Sequence, residues 1–169
     1  MAEISTAMVK ELREATGAGV MDCRRALDES AGDLKRAAEI LREKGIAAAA
    51  KRSGREANQG VVESYIHGGG RVGVLLELNC ETDFVANTED FRTLAKNIAM
   101  QIAAMNPLVV SVEDREGKEL EGKDEEVVLL SQPYIRDSGR TINDLLTDTI
   151  AKTGENIRIT RFVRYELGR

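Results

Sequence analysis

The chain predicts an α+β fold: a three-helix unit over residues 1–55, then a core over residues 56–169 in which a three-stranded antiparallel sheet packs with helices. Three observations carry this reading. Apolar residues up to Leu41 recur at spacings of three and four, the period changes to two after Gly60, and a closing stretch from Ile157 alternates again.

The first helix is predicted from about Thr6 to Ala15, with Met8, Val9 and Leu12 on one side and Thr16-Gly17 as its stop. The second starts near Gly19, carries Met21, Ala26 and Leu27, and is broken by Gly32. Asp33 is a good cap for the third, whose apolar positions Leu34, Ala37, Ala38 and Leu41 lead to a stop at Gly45. A compact unit of this kind resembles a ubiquitin-associated-like fold. Ala47 to Arg55 joins an alanine run to Lys51, Arg52 and Arg55, and reads as a tether that can prolong the helix while keeping its charges solvated.

In the core, Val61 to His67 and Val72 to Cys80 flank Gly68-Gly69-Gly70, the pattern of a β-hairpin with a flexible turn. Thr82 is placed to cap a new helix after the second strand. A long helix follows through Phe91, Leu94, Ala95, Ile98, Ala99, Ile102 and Ala103, with Pro107 just beyond its end. The acid-rich stretch Glu113 to Glu126 is expected as an exposed loop. Val127 to Leu130 is a short buried piece, Thr141 and Asp144 form a capping pair before Leu145, Leu146 and Ile150, and Ile157 to Leu167 closes the chain as a strand. That strand puts Val163, Tyr165 and Leu167 on one face and Phe162 on the other, so both faces of the sheet need cover.

At 169 residues and 42% hydrophobic, the chain can bury one modest core and a small satellite unit, since domains commonly run to about 100–150 residues. The formal charge of -5 and pI near 5.1 argue against holding a nucleic-acid backbone through a broad cationic field, so direct protein contact is expected instead. No window approaches the roughly 20 apolar residues of a membrane span, and no leader is visible, so no membrane association and a cytoplasmic location are expected. Cys23 and Cys80 read as two reduced, mostly buried thiols. With no CxxC pair and His67 as the one histidine, neither a metal nor a cofactor is expected.

The most informative stretch is Asn79-Cys80-Glu81-Thr82-Asp83-Phe84-Val85-Ala86. It ends an alternating strand and sets an acid beside a large aromatic in the first turn of a helix, where backbone donors are unpaired and side chains project outward. By themselves these residues also fit an ordinary helix start, the acid complementing the positive helix end and the ring packing locally. A second stretch, Val9 to Leu27, contains Thr16-Gly17-Ala18-Gly19-Val20-Met21-Asp22-Cys23. Together with Gln132-Pro133-Tyr134-Ile135 and Arg161-Phe162-Val163-Arg164-Tyr165-Glu166-Leu167-Gly168, these segments resemble, over nearly the whole chain, the signatures of the elongation factor Ts family. Two departures stand out: Val20 replaces a common methionine, and Asn87 replaces the usual Arg or Lys.

The resemblance implies a guanine-nucleotide exchange factor, without bond-breaking chemistry, that acts on elongation factor Tu in its GDP-bound and nucleotide-free forms. It implies that Thr82, Asp83, Phe84 and Val85 push toward the partner's Mg²⁺ site, and that the helical unit docks on the partner's nucleotide-binding domain, with Leu12, Val20 and Met21 as candidates. Packing within the small bundle is an equal reading of those three. Many family members carry a second core subdomain and a long helical hairpin; this chain has room for neither, resembles the short form, and is expected to cover one sheet face with a second copy of itself.

Other candidates give way to simpler readings. Gly17-Ala18-Gly19 begins like a dinucleotide fingerprint, but Asp22 stands at the third glycine and the segment joins helices. Gly68 to Gly70 lacks a following Lys-Ser or Lys-Thr, and His67 has no obvious nucleophile to serve as base. The rival reading from another class is an adaptor whose helical unit binds partners without accelerating nucleotide release.

Overall fold

The computed structural model describes residues 4–169; residues 1–3, on which part of the leader reading falls, lie outside the described residues. Helix α1 (Thr6–Thr16) is capped by Ser5, whose hydroxyl accepts from the Met8 N–H at 3.2 Å, and ends at Gly17 in the left-handed region. Helix α2 (Val20–Glu29) follows, and Asp33 caps α3 (Leu34–Arg52) through the Arg36 N–H. Leu12, Cys23, Ala26, Leu27, Ala37 and Ile40 close into a small core of their own.

Helix α3 does not stop at Gly45. It continues through the alanine run to Arg52, so most of the tether is helical. The reason is tertiary: α3 packs along α7 (Ile142–Thr153), and a Cβ at Gly45 would meet the Ala151 methyl at 3.5 Å. Arg42 also reaches Asp144 at 2.8 Å. Such contacts offset the roughly 1 kcal/mol that a mid-helix glycine costs relative to alanine.

Strands β1 (Gln59–His67) and β2 (Val72–Cys80) form the expected hairpin, and β5 (Arg158–Glu166) pairs antiparallel with the other side of β2. One face, with Val74, Leu76, Leu78, Cys80 and Ile159, is buried. It packs in one core with Phe91, Leu94, Ala95, Ile98, Ala99 and Ile102 of α5 (Glu89–Met105). The register between β2 and β5 shifts at Glu77/Leu78, leaving Thr160 without a partner. Strict alternation would send Ile159 and Phe162 to opposite faces; this bulge lets Ile159 and Phe162 both join the core. The opposite face exposes Val62, Ile66, Leu75, Val163 and Tyr165.

Between α5 and α7 the chain is more ordered than its composition suggests. The Arg115 guanidinium donates to the carbonyls of Leu120 (2.9 Å) and Gly122 (2.8 Å) and pairs with Asp124, which opens the short α6 (Asp124–Val127). Val109, Val127 and Val128 form a separate apolar cluster, so the acid-rich segment is exposed yet folded. The buried Gln101 donates to Gln132 Oε1 and to the Pro133 carbonyl, and accepts from the Ile135 N–H. This fixes a small hairpin of β3 (Pro133–Tyr134) and β4 (Asp137–Thr141) that alternation does not reveal. Thr141 and Asp144 make the expected capping box at the start of α7, and Gly154 ends it in the left-handed region.

Gly60 tests the close approach of β1 and β2. Its φ is 143°, and an added Cβ would lie 2.1 Å from the Leu78 carbonyl oxygen. Gly60→Ala is expected to destabilise the protein by about 2–4 kcal/mol in urea unfolding. Gly69→Ala, in open space at the hairpin turn, is expected to cost only about 1–2 kcal/mol. Equal losses would mean that strand packing at Gly60 is looser than described.

Candidate functional site

At the end of β2 the backbone turns at Glu81 and enters α4 (Asp83–Ala86), a single turn of helix. Thr82 is its cap: the hydroxyl accepts from the Val85 N–H at 3.3 Å. Ala86 is buried against the core and Val85 is half-buried, so one side of the turn is anchored. On the other side Asp83 is exposed and carries no ion pair among the described residues, while Phe84 is 83% exposed. The alternative in which the ring packs locally is therefore not the arrangement found. The turn ends on Asn87, whose amide donates to the Asp83 carbonyl at 2.9 Å, and Thr88 caps α5 directly afterwards.

A four-residue helix has no stability of its own, because helix nucleation is unfavourable. Support comes from the corner between α7 and β5. Glu155 Oε2 accepts from the N–H groups of Glu81 (3.1 Å) and Thr82 (3.0 Å), and its Oε1 accepts from the Thr82 hydroxyl at 2.5 Å. In return, Glu81 Oε1 accepts from the Asn156 N–H at 2.6 Å and lies 3.5 Å from the Arg55 guanidinium. The Asn156 amide donates to the carbonyls of Ser53 (3.3 Å) and Arg55 (2.7 Å), just past the end of α3. Sequence reasoning missed Glu155 and Asn156. Their one local signal is a polar pair between the left-handed Gly154 and a strand.

Of the three candidates in the helical unit, Leu12 is 2% exposed and belongs to the core, which packing explains. Val20 and Met21, at the start of α2, are 52% and 64% exposed. They sit on a different element from the Thr82–Val85 turn: α2 packs on α1 and α3, whereas α4 packs on β1, β2 and α5. His67 is exposed and its ring stacks on Tyr65.

A cavity of about 620 Å³ lies elsewhere, between the helical unit and α7. It mixes Arg25, Arg42, Lys44, Arg52, Arg140 and Lys152 with Asp22, Asp144 and Asp148, among which Arg25–Asp22, Arg42–Asp144 and Arg140–Asp148 are paired. Burial pushes the Asp148 carboxyl up. Among the described residues no cluster has the make-up of a metal site, and no helix is long and apolar enough to cross a membrane.

Comparison with known proteins gives consistent results. A family model described as Elongation factor TS matches residues 30–125. A protein of Desulforamulus reducens named Elongation factor Ts is 54% identical over 197 residues, covering 99% of this chain and 91% of its own length. Those of Carboxydothermus hydrogenoformans and Caldanaerobacter subterraneus subsp. tengcongensis, with the same name, are 55% and 54% identical, each covering 98% of this chain and 89% and 97% of their own lengths. The first alignment is longer than the 169 residues of this chain, so that relative carries residues inside the matched region that have no counterpart here.

Cys80 lies directly behind the exposed turn, buried, with its thiol donating to the Thr82 carbonyl at 3.1 Å. Burial, and then the nearby Glu155 carboxylate, push it up to about 11. Only the thiolate reacts, so iodoacetamide at neutral pH is expected to modify Cys80 about a hundredfold more slowly in the native protein than after unfolding in guanidinium. Mass spectrometry of the peptide measures this; equal rates would mean that the wall behind the turn is open.

Proposed function

Because this chain belongs to the elongation factor Ts family, we propose that it is a guanine-nucleotide exchange factor that binds GDP-bound elongation factor Tu, disturbs its Mg²⁺ and phosphate site, and promotes GDP release. The observation that carries this reading is Phe84: a large apolar ring 83% exposed on a turn whose backbone is held from behind. A solvent-facing aromatic gains nothing from its own fold and is suited to insertion into another surface. In this reading Thr82 caps the turn, Val85 anchors it, Phe84 wedges into the partner, and Asp83 disturbs polar contacts there.

No covalent step is required. A factor that binds the nucleotide-free partner more tightly than the GDP-bound one must weaken GDP binding by the same ratio, by linkage. The proposed division assigns residues 1–55 to docking, with Val20 and Met21 as surface contacts and Leu12 packed in the bundle core, and residues 56–169 to exchange. The acidic balance, at -5, supports contact with protein rather than directly with nucleic acid, and a role in translation supports a cytoplasmic location.

The outer sheet face supports a second element of this reading, a homodimer. Val62, Ile66, Leu75, Val163 and Tyr165 expose apolar surface on one sheet face, beside the Glu77–Arg161 pair, of the kind that a two-fold axis can pair with itself. Light scattering at micromolar concentration is expected to give twice the chain mass, and Leu75→Lys to shift it toward the monomer. A wild-type monomer with full exchange activity would remove the dimer.

Stopped-flow release of a fluorescent GDP analogue from elongation factor Tu tests the exchange reading. Wild-type chain is expected to accelerate release strongly. Phe84→Ala, which removes no core contact, is expected to keep its fold and lose about 30-fold or more, the rate equivalent of roughly 2 kcal/mol at an aromatic anchor. Binding without acceleration by the wild type would favour the adaptor.

A further inference from the structure

We propose that Glu155 is a positioning residue for nucleotide exchange: it sets the orientation of the Thr82–Val85 turn, and Asn156 ties the same corner to the end of α3. The proposal rests on the exchange reading above.

The ring of Phe84 is 83% exposed, so packing does little to aim it, and its direction is set by the backbone of α4. That backbone is held by a carboxylate 73 residues further along the chain. Glu155 accepts three hydrogen bonds from two consecutive residues, taking the N–H groups of Glu81 and Thr82 on Oε2 and the Thr82 hydroxyl on Oε1. Because the Thr82 hydroxyl donates to Glu155 while accepting from the Val85 N–H, both its roles are committed and its rotamer is fixed. Hydrogen bonds to an ionised acceptor are stronger than neutral ones, and this set acts where strand becomes helix.

Asn156 extends the brace. It is 4% exposed, its N–H meets the Glu81 carboxylate, and its side chain holds the Ser53 and Arg55 carbonyls. The turn that presents Phe84 and the exit of the last helix of the docking unit therefore share one polar cluster. Asn156 links the end of the docking unit both to Glu81 at the start of the turn and to its chain neighbour Glu155.

The test follows GDP release over a concentration series with full-length wild type, Glu155→Ala, Glu155→Gln, Phe84→Ala and the double variant Phe84→Ala/Glu155→Ala. Glu155→Ala is expected to lower the maximal release rate about tenfold or more while the half-saturating concentration stays within about twofold. Glu155→Gln, with one acceptor oxygen for three donors, is expected to fall between it and wild type. The double variant is expected to lose no more than Phe84→Ala alone, because both changes act through one ring. A purely structural Glu155 would instead multiply the two losses, and that outcome overturns the proposal, as does a full rate in Glu155→Ala. Should Glu155→Ala fail to fold by circular dichroism, Glu155→Gln takes its place in the same cycle, and a wild-type rate there overturns the proposal. Full activity in Phe84→Ala overturns the exchange reading itself, so the two failures are told apart.

Discussion

Strand β2 is the constraint on which the rest depends. It is paired on both sides, with β1 and with β5, so neither of its edges is open. Val74, Leu76, Leu78 and Cys80 bury one face completely or nearly so. A slip of one residue would carry all four to the solvent side, so the register is strongly specified. With β2 locked, the hairpin turn is fixed at its start and the Thr82–Val85 turn at its end. The exposed aromatic thus stands at the end of a strand paired along both of its edges.

Polar groups, alongside the small Val109–Val127–Val128 cluster, hold the segments that depart from regular structure. Gln101, buried near the C-terminal end of α5, satisfies the chain at Gln132, Pro133 and Ile135. Arg115 does the same for its loop, and Glu155 for the α4 turn. Each supplies partners to backbone groups that no helix or strand pairs, and a buried unpaired group costs about 1–3 kcal/mol. Small changes at these side chains therefore act on the shape of a loop more than on the core.

Under the proposed reading, the same arrangement accounts for how the chain would act without a covalent step. Phe84 is left unburied on one side of a four-residue helix whose other side is Val85 and Ala86. The fold leaves one large ring unburied, on a turn whose backbone is held by Thr82 and Glu155.

By itself the sequence determined the order and kind of the long elements, because the apolar periods and caps that specify them are local. Asp33, Thr82 and the Thr141–Asp144 pair cap where short-range rules place them. The position of Phe84 after Thr82 was legible for the same reason. Tertiary structure alone decided the passage of α3 through Gly45, the bulge at Thr160 that turns Ile159 inward, the β3–β4 hairpin, the burial of Leu12 beside the exposure of Val20 and Met21, and the service of Glu155 to the turn. Each of these answers to a neighbour that the local pattern does not contain: Ala151 for Gly45, Leu78 for Ile159, Gln101 for Ile135, and Glu155, 73 residues away, for Thr82. Periodicity says which face of an element is apolar, whereas only the packed chain says which distant polar atom completes its ends.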